Sequence, residues 1–182
     1  MKINKDNSLL LVIDMQEKLL PAMDKKEELL ENSAILLEGF QTLKIPVIST
    51  VQYKKGLGEI TPLLLNLLNN SNSTSIEKFE FSCMKNEIFA EKLQTFDRRK
   101  IFVIGIESHI CVEQTVLDLI DEDYHPIVIA DCISSSNPYN KKIALKRMRD
   151  YGADITTYES ALFELLVTSK APEFKTISNL IK

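Results

Sequence analysis

The chain has 182 residues, 45% of them hydrophobic and 26% charged, with a formal net charge of -4. That composition describes one soluble domain spanning residues 1–182, long enough to bury a sizeable core, and it excludes a disordered or membrane-embedded chain. A negative net charge with no offsetting lysine and arginine cluster argues against a nucleic-acid partner.

The opening segment, MKINKDNSLLLVIDM, holds an apolar run too short to span a bilayer, with no small-residue cleavage site, so a cytoplasmic location is the expectation. Residues 9–13, LLLVI, read as a central buried strand that stops at Asp14. An acid at the end of a buried strand costs free energy unless it is paired or used; the alternative is an aspartate capping the next turn. Residues 25–43 carry the apolar stripe of a long helix, and Pro46 opens a second strand, PVISTV.

The polar segment QYKKGLG at residues 52–58 reads as a loop, residues 61–68 as a short helix, and residues 69–74 as a surface turn of asparagines and serines. Lys78 lies in a brief extended segment within EKFEFS, where Phe79 and Phe81 alternate with Glu80 and so point one way, as walls of a pocket. An ordinary solvated charge is the alternative for Lys78. Residues 86–96 form another amphipathic helix.

Residues 100–123, KIFVIGIESHICVEQTVLDLIDED, combine an unbroken apolar strand, a tight turn at Gly105 and an amphipathic helix starting near Ser108 or His109. Cys111 then falls in the first helical turn, where unpaired N–H groups and the helix dipole favour thiolate over thiol and can hold an oxyanion. A small buried apolar residue is the alternative. His109, two residues away, points to a different side, and His125 opens a fifth strand, HPIVIA, that ends at Asp131. Helices follow at residues 141–151 and 160–167, separated by an edge strand at 153–156, with a C-terminal tail helix. Leu162, Phe163, Leu165 and Leu166 on the late helix serve either an oligomer interface or the core. The three cysteines, Cys83, Cys111 and Cys132, have no Cys-x-x-Cys spacing, which disfavours a disulfide framework and a structural zinc site.

Six alternations of strand and helix imply an α/β fold: a single-domain, three-layer α/β/α sandwich around a six-stranded, mostly parallel, Rossmann-like sheet. Ligand sites in such sheets lie outside the carboxyl ends of the strands, where Asp14, Lys78, Cys111 and Asp131 all fall. A thiol, a carboxylate and an ammonium in one cleft suit acyl transfer, with Asp14 taking the proton of Cys111 and Lys78 placing the carboxylate. No glycine-rich phosphate loop is present, which disfavours a nucleotide-binding domain.

The blocks LLVIDMQ (10–16), EKFEFS (77–82), GIESHICVEQTVLDL (105–119), IVIADCISS (127–135) and TYESALFEL (157–165) resemble, in order, those of the isochorismatase-like, or cysteine hydrolase, family. The resemblance implies a catalytic triad of Asp14, Lys78 and Cys111. It also implies a non-proline cis peptide between Ile106 and Glu107, aiming the backbone N–H groups of Glu107 and Cys111 at the oxyanion. Gln16, Tyr53, Phe79 and Phe81 are the candidates for substrate contact. Nicotinamidases of the family hold a metal through histidines beyond the second strand; the corresponding Gln52-Tyr53-Lys54-Lys55-Gly56 has none, so no catalytic metal and no cofactor are expected. The implied function is cysteine-dependent hydrolysis of a small-molecule amide through a thioester, in a homo-oligomer. The alternatives are a non-catalytic small-molecule-binding or scaffold oligomer of the same fold, and an isochorismatase-type hydrolase, against which the cysteine argues.

Overall fold

The computed structural model describes residues 3–70 and 73–182. Residues 71 and 72 of the expected surface turn, and the first two residues of the opening segment, lie outside the described residues. Among the described residues, β1 (Ser8–Ile13), β2 (Val47–Gln52), β3 (Thr74–Lys78), β4 (Lys100–Ile106), β5 (His125–Ser134) and β6 (Asp154–Thr156) form one sheet in the order β3-β2-β1-β4-β5-β6. Every neighbouring pair is parallel, because each connection returns through helical crossovers. The helices are α1 (Lys26–Thr42), α2 (Lys54–Leu57), α3 (Pro62–Asn69), α4 (Glu87–Gln94), α5 (Glu113–Asp121), α6 (Pro138–Tyr151), α7 (Tyr158–Leu166) and α8 (Phe174–Leu180).

The continuous apolar runs of β1 and β4 are explained by burial on both faces, since alternate side chains point to opposite layers. On one face Leu10, Val12, Phe102 and Ile104 meet Leu37 and Phe40 of α1, Leu64 of α3, Leu162 of α7 and Ile177 of α8. The Phe40 ring sits edge-on to Phe102 with centroids 5.0 Å apart. On the other face Leu9, Leu11, Ile101 and Val103 meet Phe89 of α4, Val116 and Leu119 of α5, and Met148 of α6. Each such side chain contributes roughly 1.5–3 kcal/mol relative to exposure, so the two clusters hold the three layers together. Leu162, Leu165 and Leu166 are buried in the first cluster, which decides for core over interface; Phe163 rests against Phe174 of α8. Among the described residues no helix is long and apolar enough to cross a membrane.

The chain runs outward from β1 through β2 to β3, then returns to place β4 on the other side of β1. Strand order therefore reverses between β1 and β4, which opens a cleft at their carboxyl ends. Gly105 sits beside that cleft with φ +131, and a Cβ built there meets the carbonyl oxygen of Ile13 at 2.1 Å. The obstacle is backbone of the neighbouring strand and has no rotamer by which to give way. Combining the cost of a left-handed L-residue with that of overpacking, Gly105→Ala lowers stability by roughly 2–5 kcal/mol, read as a fall in the urea midpoint at unchanged slope.

Three of the boundaries that differ from the sequence reading have a clear local reason. Strand β5 does not end at Asp131: a bulge lets Val128 pair with Val103 and Ile133 with Gly105, and the strand runs on to Ser134. Helix α6 begins at Pro138 because Asn137 accepts a hydrogen bond from Tyr139 N and proline suits the first helical position. Helix α7 begins at Tyr158 because Thr157 accepts from Ser160 N.

Candidate active site

Three of the four side chains expected at the carboxyl edge converge there. Asp14, the residue after β1, takes a left-handed backbone conformation (φ 51), which ends the strand and turns the fully buried carboxylate into the sheet edge. Its Oδ2 accepts from Lys78 Nζ at 2.7 Å and its Oδ1 from Thr50 Oγ1 at 2.7 Å. Lys78 closes β3, and its ammonium donates also to Gln52 Oε1 at 2.6 Å and to the carbonyls of Glu80 and Phe81 at 3.1 and 3.2 Å. Burial alone lowers the pKa of Lys78, but the charge of Asp14 leads the effects that outweigh it, and the result is raised from 10.5. A buried ammonium ringed by oxygens is a fixed cation.

Thr50 and Gln52 are two apart on β2 and so share a face, one serving the carboxylate and the other the ammonium. Gln52 Nε2 donates to the Phe79 carbonyl at 2.7 Å, which fixes which end of its amide meets Lys78. Sequence reasoning missed both residues; the available signal was polar Thr50 and Gln52 two apart at the end of a buried strand.

Cys111 lies in a π-helical turn, Ser108–Val112, that follows β4 and leads into α5. The Ile106–Glu107 peptide bond before the turn is cis. Thr115 Oγ1 donates to the Cys111 carbonyl at 2.7 Å and accepts from Cys83 N at 2.9 Å, pinning the turn to the segment after β3. The Cys111 thiol is nearly buried, close enough to Asp14 and Lys78 for both charges to act on it. Burial first, and Asp14's charge next, push it up to about 12, with Lys78 pulling the other way. Both leading effects favour the thiol and oppose the thiolate expected at a helix end. A helix end offers only about 0.3–1 kcal/mol, less than one pKa unit, whereas a carboxylate in contact shifts a neighbour by about 1–3 units.

Asp131 is not brought to this cleft. The β5 bulge turns it toward a cavity of about 200 Å³ lined by Asp24, Lys25, Glu28 and Lys141, and its carboxylate accepts from Tyr158 N at 3.0 Å. Burial raises its pKa. Gln16 is fully buried and its amide is spent on backbone: Nε2 donates to the carbonyls of Gln52 and Gly58, and Oε1 accepts from Gln52 N. It clamps β2 to the following loop and has no free group for a substrate. The loop itself carries one helical turn, α2. Tyr53, Phe79 and Phe81 are exposed at 45%, 66% and 56%, with Tyr53 and Phe79 ring centroids 5.8 Å apart. The chain leaves β3 at Lys78, and both phenylalanines are exposed at the site's rim, where Phe79 lines a groove of about 470 Å³ with Ile76, Ile88 and Lys92.

His109 faces away toward the β5–α6 loop, its ring nitrogens contacting Ser135 Oγ at 2.9 Å and Asn140 Nδ2 at 3.3 Å. The Glu107 carboxylate anchors the same loop, accepting from Ser136 N and Oγ. His125 pairs with Asp154 of β6. Among the described residues no three histidine, cysteine or acidic side chains are grouped as metal ligands.

Residues 8–160 match the model of the isochorismatase domain. The secreted isochorismatase effector Isc1 of Phytophthora sojae is 36% identical over 97% of this chain and 85% of its own length. Among solved structures, the MAR1 ribonuclease of Caenorhabditis elegans superposes with a TM-score of 0.93 at 34% identity, covering 100% of this chain and 92% of that one. YcaC of Escherichia coli, described as an octameric hydrolase of unknown specificity, shares the fold with a TM-score of 0.93 at 20% identity, covering 100% of this chain and 89% of its own.

Proposed function

The chain belongs to the isochorismatase family of hydrolases, and from that membership and the site's geometry we propose that it hydrolyses small-molecule amides by cysteine nucleophilic catalysis. The observation that carries the reading is a fully buried carboxylate held by a buried lysine at 2.7 Å, with a nearly buried cysteine thiol near enough to feel both charges.

In this reading Cys111 gives its proton to Asp14 as the sulfur attacks the amide carbon, so the nucleophile is made only when needed. The tetrahedral oxyanion is received by the backbone N–H groups of Glu107 and Cys111. Collapse breaks the C–N bond; the departing nitrogen takes the proton from Asp14 and leaves as amine, with the acyl group held as a thioester. Water then gives a proton to Asp14 and its oxygen to the carbonyl carbon, and the sulfur leaves with that proton as the acid departs. Lys78 stays charged throughout and offsets the carboxylate.

The partner we propose besides substrate is a second copy of the chain. The exposed group of Tyr53, Phe79 and Phe81 at the rim supports it, as does the octameric assembly described for YcaC.

The test is a panel of small amides and one single-stranded RNA, included because the Caenorhabditis elegans relative is named a ribonuclease. Wild-type protein is expected to release amine from at least one amide and to carry an acyl adduct on Cys111 by intact mass, and Cys111→Ala to do neither. Cysteine-dependent cleavage of the RNA with every amide untouched would overturn the reading.

A further inference from the structure

A carboxylate held by one hydrogen bond can pivot about its Cβ–Cγ bond, because that torsion is broad and nearly two-fold. Held at both oxygens, it keeps one plane. Asp14 is held at both: Lys78 Nζ on Oδ2 and Thr50 Oγ1 on Oδ1, each at 2.7 Å. Lys78 is already fixed by three further oxygens, so the position of Oδ2 is set from β3. The remaining freedom, rotation of Oδ1 toward or away from Cys111, is decided by Thr50 alone among the described residues.

Thr50 is in turn oriented from behind. Cys83 Sγ lies 3.9 Å from Thr50 Oγ1, in reach of a weak S–H donor. Burial pushes the Cys83 thiol up to about 11, so at neutral pH it carries a proton that it can donate. With a lone pair of Oγ1 facing that S–H, the threonine's own hydrogen is left for Asp14, whose carboxylate accepts and has nothing to donate back. The Cys83 backbone N–H meanwhile holds Thr115, which holds the Cys111 carbonyl. One residue thus touches both halves of the site: its side chain leads through Thr50 to the carboxylate, its backbone through Thr115 to the nucleophile's turn.

We infer that Thr50 and Cys83 are positioning residues that keep the Asp14 carboxylate turned onto the Cys111 thiol, so that Cys83 is a donor behind the base and not a second nucleophile. The inference rests on the reading of Asp14 as the base. Its readout does not require the substrate, because Asp14 leaves a signature on Cys111 itself: after burial, the carboxylate's charge is what holds that thiol up.

The experiment is the pH dependence of Cys111 alkylation by iodoacetamide, followed by peptide mass from pH 7 to 11. Four variants are compared with wild type: Thr50→Val, Thr50→Ser, Cys83→Ala and, as reference, Asp14→Asn, each checked for fold by circular dichroism. Thr50→Val is expected to move the profile down by roughly one pH unit, as the carboxylate swings off the thiol, against roughly two or more for Asp14→Asn. Thr50→Ser, which keeps the hydroxyl, restores most of the wild-type profile, and Cys83→Ala moves it by a few tenths in the direction of valine. Where an amide substrate is in hand, Thr50→Val lowers kcat about 10- to 100-fold with KM little changed, the scale expected of a misplaced catalytic group.

A Thr50→Val profile that coincides with wild type or moves up overturns the inference, as does a serine variant as displaced as valine. If valine prevents folding, the serine and Cys83→Ala profiles decide by the same criteria. Failure of the amide panel with Asp14→Asn still shifting the profile would count against the proposed reaction and leave the positioning argument standing.

Discussion

In Lys78→Met the protein is expected to lose roughly 3–5 kcal/mol of folding stability at neutral pH, the scale measured when one partner of a buried ion pair is removed. The cause is what the substitution leaves behind more than what it takes away. Asp14, with no exposure, is left with the Thr50 hydroxyl as its remaining side-chain donor, and three neutral oxygens lose theirs. Urea denaturation at several pH values reads the loss. Because the pKa of folded Lys78 is raised above 10.5, its stabilisation is complete below that value and fades as pH climbs through the folded pKa. The gap between wild type and Lys78→Met is therefore constant from pH 7 to 9 and narrows above about 10.5. A gap of under 1 kcal/mol at pH 7 would mean that the pair behaves as an exposed one.

Asp14→Asn should drive two measures of Cys111 in opposite directions. Turnover falls about 10²- to 10⁴-fold, the usual contribution of a positioned general base. Alkylation at pH 8 accelerates, because burial and the Asp14 charge together hold the thiol up to about 12, and with that charge gone the lowering effect of Lys78 is unopposed by it. A fall of about 2–3 units multiplies the thiolate fraction about 100- to 1,000-fold, partly offset by the lower nucleophilicity of a more acidic thiol. Cys83 and Cys132, both buried, stay unlabelled and serve as internal controls. Slower alkylation together with lost turnover would point instead to a resting thiolate stabilised by the site, and the proton-transfer mechanism would have to be replaced.

Both expectations depend on relationships that local sequence patterns do not encode. Burial and periodicity are local: five apolar residues ending in an acid identify β1, the apolar run ending at Gly105 identifies β4, and Cys111 follows at a strand-to-helix join in any alignment of the chain with itself. Those features, with the ordered family blocks, determined the α/β layers and the residue types available for chemistry. They also determined that Asp14, Lys78 and Cys111 lie near strand ends, since polar residues that interrupt buried apolar runs fall there.

Only the tertiary structure decided which of those residues meet. Thr50 and Asp14 are 36 residues apart and Lys78 and Asp14 are 64 apart, and their contact depends on strand order and register, which no periodicity records. The same indeterminacy explains the misplacements. A bulge in β5 sent Asp131 to a different cavity, and Gln16, polar and adjacent to the acid, was consumed by the backbone of a loop far along the chain. Protonation is the extreme case. The sequence places Cys111 where a helix end would favour a thiolate, but removal from water and the charge of a neighbouring carboxylate act through space, and both push its pKa up.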